Sequence, residues 1–241
     1  MKASQKIFDY GSVALPWQPW ADGTFLTENA QLLVFNGAVA DVPFVIGDDD
    51  DEGTLFSLGN SNITTAAELR QYLQEYIFPT VNDTVLDGVL AAYPDDPTLG
   101  SPFDTGSNNS ITPEYKRMSA IIGDYIFHAP RRLLLTERSG NASAYSFLDK
   151  RGKDTPVIGS AHGTDLDIFQ GTDLTDALIH FVNNLDPNGA SLIDWPAYTA
   201  EAPALLTFLE GNITQVITDD TFRVEGIQAI SQATVAGIRQ P

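Results

Sequence analysis

One apolar run, Val42-Pro43-Phe44-Val45-Ile46, empties directly into Gly47-Asp48-Asp49-Asp50-Asp51-Glu52-Gly53. A short, continuous apolar run between turn residues has the pattern of a strand buried on both faces, as in a parallel sheet. Helices must then cover that sheet, so this one element points to an α/β architecture. The acidic run that follows reads as a solvated loop, where polar chemistry can sit. Ala144-Tyr145-Ser146-Phe147-Leu148 has the same signature and reads as the second strand.

Helical patterns fill the space between and after these strands. Thr65 and Glu68 form a capping-box pattern ahead of Leu69, Tyr72, Leu73, Tyr76 and Ile77, which share one helical face. Asp83 can cap a helix with the stripe Leu86, Val89, Leu90 and Tyr93. Thr112-Pro113 places a capping residue before a proline suited to the first helical position. The helix it opens buries Tyr115, Met118, Ile122 and Tyr125, and Pro130 is expected to kink or end it. Further helical patterns cover Asp173 to Val182, with Leu178, Phe181 and Val182 on the apolar side, Ala204–Leu209, and Val224–Ser231. Residues 1–41, with Leu15-Pro16-Trp17-Gln18-Pro19-Trp20-Ala21-Asp22-Gly23, read as turns. No repeat or interdomain linker is visible, so residues 1–241 read as one unit. Two strands are too few to cover so many amphipathic helices, and such a sheet is marginal by itself. The expectation is half of a larger fold, poorly folded when expressed alone.

Charge narrows the partners. With 32 acidic and 13 basic side chains the formal net charge is −19. Such a field repels phosphate backbones and argues against nucleic acid. No apolar stretch is long enough for a membrane span. With no cysteine, thiolate and disulfide chemistry are absent. Met1-Lys2-Ala3-Ser4-Gln5-Lys6 runs into Ile7-Phe8-Asp9-Tyr10-Gly11, which interrupts any signal-peptide apolar core. Yet Asn62, Asn82, Asn108, Asn141 and Asn212 each begin an Asn-x-Ser/Thr acceptor. Twelve Asn and 35 Ser or Thr in 241 residues would give roughly two by chance. The excess suggests a secreted glycoprotein whose front is missing.

Three histidines are available for chemistry. His128 and His180 lie in helical patterns, where a histidine is ordinarily structural or solvated. His162 sits in the loop Gly159-Ser160-Ala161-His162-Gly163-Thr164-Asp165, after the second strand, where catalytic groups are commonly held. By itself this remains compatible with an ordinary loop histidine. Asp48, Asp50, Glu52 and Gly53 also match positions 1, 3, 5 and 6 of a calcium loop, but the twelfth position is Gly59, which supplies no carboxylate. Glu52 after one strand and His162 after the next reproduce the second and third members of the α/β-hydrolase order Ser, acid, His. No G-x-S-x-G and no Gly-Gly pair occurs anywhere in the chain.

At this point the sequence resembles a known family. Val42 through Thr54 looks like the acid-loop motif of type B carboxylesterases, the cholinesterase-related family. It is most similar to the fungal lipase and sterol esterase branch, typified by the Candida rugosa lipases. Gly100-Ser101-Pro102-Phe103-Asp104-Thr105-Gly106, Tyr115-Lys116-Arg117, Gly123-Asp124 through Pro130-Arg131-Arg132, Tyr145-Ser146-Phe147-Leu148, the His162 loop, and Asn184-Leu185-Asp186-Pro187-Asn188 ahead of Trp195-Pro196 carry the same resemblance. It runs from about Leu15 to Ser231.

The resemblance implies the C-terminal portion of an α/β-hydrolase fold, its last sheet strands plus packing helices. It further implies that Glu52 and His162 are the acid and base of a Ser-Glu-His triad, and that no cofactor or metal is needed. The nucleophile and oxyanion hole would belong to a missing N-terminal half. An ester or lipid would be the substrate if an N-terminal half chain associates with this one, and the chain alone is expected to be inactive. Asp124 and Arg131 are expected to form a structural ion pair or to lie on the surface. The alternative is a non-catalytic, cholinesterase-like interaction module.

Overall fold

The computed structural model describes residues 11–14, 19–170, 173–189 and 192–238. The N-terminal stretch Met1–Tyr10 and Leu15-Pro16-Trp17-Gln18, the start of the segment expected to form turns, lie outside the described residues.

Both expected strands form. β1 (Phe44–Asp49) and β2 (Ala144–Asp149) pair in parallel, from Phe44 opposite Ala144 to Asp49 opposite Asp149. The strand therefore continues two residues into the acidic run. The sheet then extends past the expected pair: β3 (Ala204–Phe208) runs parallel to β2, and β4 (Gln215–Asp219) returns antiparallel. The order is β1-β2-β3-β4.

The helix expected at Ala204–Leu209 is thus a strand. Five consecutive largely apolar residues cannot be told apart as helix or strand by periodicity. The free edge of β2 decides it, and all five residues are buried. Leu209 N–H donates to Thr214 C=O at 2.9 Å to close the hairpin into β4.

Each strand alternates its faces. Tyr145 and Phe147 join Leu206, Phe208, Ile168, Leu174, Ala177 and Trp195 in one cluster. Ala144, Leu148 and Leu205 join Leu135 and Tyr198 in another. Complete burial of a side chain of this size is worth about 1.5–3 kcal/mol.

Helices cover both faces. α1 (Ala30–Phe35) is a short helix within the region expected to be turns. α2 (Gly53–Ser57) begins immediately after Glu52. α3 (Ala66–Tyr72) has the expected Thr65–Glu68 capping box and continues through a π-turn at Leu73–Ile77. Leu69, Tyr72, Leu73 and Ile77 are buried, while Tyr76 is exposed. α4 (Asp83–Ala92) is capped by Asn82 rather than Asp83: the Asn82 side chain accepts the Val85 N–H.

α5 (Tyr115–Gly123) has Glu114 and not Thr112 at its N-cap; Thr112 Oγ instead donates to the Ile63 carbonyl at 3.0 Å. Pro130 does not end this helical run. A π-turn at Asp124–His128 hands the Ala129 N–H to Asp124 C=O, and Pro130 enters α6 (Ala129–Arg138) in its first turn, where a missing N–H costs little. α7 (Leu166–Phe169) and α8 (Asp173–Asn184) follow β2, and α9 (Val224–Ile238) follows β4. On α8 the buried side is Leu174 and Ala177, the expected Leu178 and Phe181 pack partly buried against the same cluster, and Val182 is 77% exposed.

The largest cluster joins α3, α4, α5 and α9 through Leu69, Leu73, Leu86, Val89, Ile121, Ile122, Ile227 and Ile230. α2 docks against α5 at a glycine pair. A Cβ on Gly53 would run into the Ser119 carbonyl and the Gly123 amide nitrogen. This close approach fixes where the chain leaves β1, and hence where Glu52 points.

Candidate functional site

Parallel strands bring their carboxyl ends to one edge of a sheet, and the turns that follow β1 and β2 meet there. Glu52, at the start of α2, is 4% exposed. Its Oε1 accepts the Asp49 N–H at 2.9 Å, and its Oε2 lies 2.7 Å from His162 Nδ1. The two side chains, 110 positions apart in sequence, are in hydrogen-bond contact. The His162 ring packs beside Phe56 and Phe127, with centroid distances of 5.2 and 4.9 Å, and its side chain remains 46% exposed. The hydrogen bond that the ring donates to Glu52 holds the imidazole above its ordinary pKa, with the Glu52 charge and the more distant carboxylates of Asp165 and Asp48 adding to it against partial burial.

The acidic run does not form a solvated loop. Asp48 through Glu52 are all buried, because each carboxylate finds its own partner. Side chains alternate along a strand, so Asp48 and Asp49 leave β1 on opposite faces.

Asp48 meets Arg131 Nε at 2.6 Å and lies 2.9 Å from His128 Nδ1. Arg131 in turn holds both oxygens of Asp220, at 2.9 and 3.0 Å, and donates to Ser146 Oγ at 3.2 Å. Burial opposes ionisation of Asp48 and Asp220, but the guanidinium charge of Arg131 outweighs it and both acids stay below the usual carboxylate range. Asp50 pairs with Lys153 at 2.7 Å and Lys150 at 3.3 Å.

Asp51 and Asp49 hold the turn that carries His162. Asp51 Oδ2 accepts the Ser160 N–H at 3.0 Å and Lys153 Nζ at 2.7 Å, while its Oδ1 accepts Ser101 Oγ and the Phe103 N–H. Asp49 accepts the N–H groups of Gly163 (2.8 Å) and Asp165 (3.0 Å), one on each oxygen. Gly159 is at φ +59°, and a Cβ there would collide with the Asp51 carboxylate. The imidazole is thus bracketed by ties to residues 160, 163 and 165, all from one strand end.

The other sequence candidates separate cleanly. Asp48, Asp50 and Glu52 diverge to three different partners, so the calcium-loop pattern has no shared centre. Among the described residues no group of three potential ligands converges. His128 is completely buried, pressed edge-on against Phe222. His180 is half-buried on α8, its ring facing Gly189. Asp124 and Arg131 are both buried, but not with each other: Asp124 is gripped by Arg223 at 2.7 Å. The sequence showed Glu52 and His162. It gave no sign of Asp49, Asp51, Phe56 or Phe127 as their neighbours, because a run of aspartates looks solvated until its partners are known.

The chain is similar to known proteins over most of its length. The profile of the carboxylesterase family matches residues 1–222. Over 230 residues the chain is 42% identical to Lipase 4 of Diutina rugosa, covering 92% of this chain and 41% of that protein. It is 39% identical over 213 residues to Secreted lipase 1 of Botryotinia fuckeliana (strain B05.10), covering 83% and 37%. The solved structure of Aspergillus niger EstA superposes with a TM-score of 0.76 at 18% identity, covering 92% of this chain and 46% of that one. The chain therefore spans about two fifths of the length of the curated relatives it matches.

Proposed function

The chain belongs to the carboxylesterase family, and on that premise we propose that Glu52 and His162 are the acid and base of a Ser-Glu-His triad for ester hydrolysis. The fold, part of an α/β-hydrolase, is consistent with that premise. The observation that carries the reading is the 2.7 Å contact between Glu52 Oε2 and His162 Nδ1 at the ends of adjacent parallel strands, with the imidazole still half-exposed.

In this reading, Glu52 accepts the Nδ1–H and so fixes the tautomer that leaves Nε2 basic. His162 takes the proton of a serine hydroxyl as it attacks the ester carbonyl, then returns it to the leaving alcohol. Glu52, accepting the Nδ1–H, stabilises the imidazolium.

No G-x-S-x-G is found in the 241 residues, so the nucleophile and the oxyanion donors come from an N-terminal half. β1 is the edge strand of the described sheet, and its unpaired side is the natural place for that half to join. Residues 1–241 are then one portion of a larger hydrolase domain. The substrate is an ester with an apolar acyl chain, by analogy with relatives named as lipases. Extracellular location is supported by relatives named as secreted. All five acceptor asparagines are also exposed, as glycosylation requires.

The test is complementation. The chain alone should not turn over a short-chain p-nitrophenyl ester. Joined to, or mixed with, a nucleophile-bearing N-terminal half from a relative, it should. Turnover by the chain alone that survives His162→Ala would overturn the assignment. A complemented, folded domain without turnover would favour a binding role.

A further inference from the structure

Among the described residues, no cation pairs with the buried carboxyl of Asp49. It is 1% exposed, and the charges acting most strongly on it, those of Asp165, Glu52 and Asp149, are all negative. Both of its oxygens nonetheless accept backbone N–H groups of the turn after His162. Asp149 stands directly opposite in the β1–β2 register. Register-opposed residues of neighbouring strands project from the same face, on backbones about 4.8 Å apart. Asp149 is itself completely buried. Its Oδ1 accepts the Arg151 N–H at 3.0 Å, and among the described residues its Oδ2 has no hydrogen-bond partner. A buried polar atom left unpaired is expensive, and each one in a native structure calls for an explanation. An ionised Asp49 can offer that oxygen nothing; a protonated one can.

We propose that Asp49 and Asp149 share one proton across β1 and β2, and that Asp49, as a carboxylic acid, is the positioning residue of the His162 turn. A single proton then answers two observations. It removes a charge that would otherwise face Glu52 and Asp165, and it gives Asp149 Oδ2 a donor. The balance is simple: Asp49 O–H donates to Asp149 Oδ2, Asp149 carries the negative charge, and both Asp49 oxygens still accept from the Gly163 and Asp165 amides.

The electrostatics agree with the geometry. Burial, followed by the charges of Asp165, Glu52 and Asp149, pushes Asp49 up to about 9. Burial pushes Asp149 to about 6, with the Arg151 N–H and charge opposing, and Asp165 and Glu210 adding to the rise. Two such acids titrate as a pair, the first proton leaving near neutrality or below and the second only in alkali. Since folding raises their proton affinity, the pair favours the folded chain most in acid, and progressively less as pH rises toward about 9.

The consequence for chemistry rests on reading His162 as the general base. A neutral Asp49 holds the base without adding to the negative field that raises its proton affinity. Ionising it would put a second carboxylate beside Glu52 and turn more of the imidazole into imidazolium.

The experiment follows carboxyl and imidazole signals by NMR in the full chain labelled at Asp Cγ and in the His ring. The Asp49 signal is assigned by its loss in Asp49→Asn. We expect that signal to be protonated at pH 7 and to titrate near 9, and to titrate at least about one pH unit lower in Asp149→Asn. Asp49→Asn, neutral like the acid but with an acceptor for only one of the two amides, should not lower the His162 midpoint. An Asp49 signal already ionised at pH 7, or one unmoved by Asp149→Asn, overturns the shared proton. So does a His162 midpoint that falls in Asp49→Asn, since that would mean a negative charge had been removed. If either variant fails to fold, the unaltered chain still decides. A protonated-carboxyl stretch should disappear from its infrared spectrum between pH 7 and pH 10, and its absence at pH 7 refutes the proposal. None of these readouts needs ester turnover. Failure of the triad assignment with the expected titrations leaves the proton standing, and the reverse outcome removes it alone.

Discussion

Two histidine–carboxylate pairs grow from the same acidic run, and they are built for different ends. His128 lies 2.9 Å from Asp48, and His162 lies 2.7 Å from Glu52. The first pair is sealed. Its histidine side chain is 1% exposed, its carboxylate is already held by Arg131, and among the described residues neither ring nitrogen of His128 completes a well-formed hydrogen bond, the 2.9 Å approach to Asp48 included. The second is open on one side: Glu52 is buried, but the ring it orients is 46% exposed and flanked by two phenylalanines. The fixed charge of Arg131 is the leading interaction holding Asp48 below the usual carboxylate range, with His128 adding to it, so the imidazole there serves a buried carboxylate and meets no substrate. Glu52 is offset by no such fixed charge on its own oxygens, only by an amide and a titratable ring. Contact between an imidazole and a carboxylate is therefore not what marks a proton-transfer site. Access, and the lack of a competing cation, are.

The widest gap between the two pairs should be kinetic. In the complemented domain, His162→Ala is expected to cost about six orders of magnitude in turnover, as loss of a triad base does elsewhere. His128→Leu should change turnover by less than about tenfold, because it removes no group that meets substrate. Equal losses in two folded variants would erase the distinction.

The next effect is on stability, and it should run the other way. Arg131→Met strips Asp48 and Asp220 of their shared counter-charge in a sealed setting, and should cost about 3–5 kcal/mol in urea unfolding. Glu52→Gln removes only one side of a half-open pair and should cost distinctly less. An Arg131→Met variant within about 1 kcal/mol of the parent would show that water reaches the supposedly sealed pair.

The smallest effect is electrostatic. Glu52→Gln should lower the His162 midpoint toward its ordinary value, as read from ring signals over pH, because the hydrogen bond accepted by Glu52 leads the upward shift. The sign for stability follows. A histidine raised by folding contributes fully below its unfolded pKa of about 6.5, and that contribution is lost as pH rises through the raised value. A midpoint unmoved by the substitution would place the control of His162 outside Glu52.

How much of this was readable in advance depends on distance along the chain. The capping box at Thr65 and Glu68 and the core of α3 were legible because their partners lie within one or two turns. β1 and β2 announced themselves as apolar runs. β3 did not, since Ala204–Phe208 fits either periodicity, and β4 left no reading at all. Pro130 was over-read as a break, because the π-turn that accommodates it depends on packing around Asp124–His128. Glu52 and His162 stood out through their order and their resemblance to a family motif. The burial of Asp48, Asp49, Asp50 and Asp51 could not stand out, because their partners are at 131, 163, 153 and 160.

By itself the sequence determined an α/β chain with helices between parallel strands, and a carboxylate and an imidazole in successive strand-end turns. Only the tertiary structure decided which acids are charged, which are sealed, and which one faces a ring that solvent can reach. Periodicity and capping are local energies written in neighbouring residues. The state of a buried charge is set by whatever the fold brings beside it from a hundred positions away.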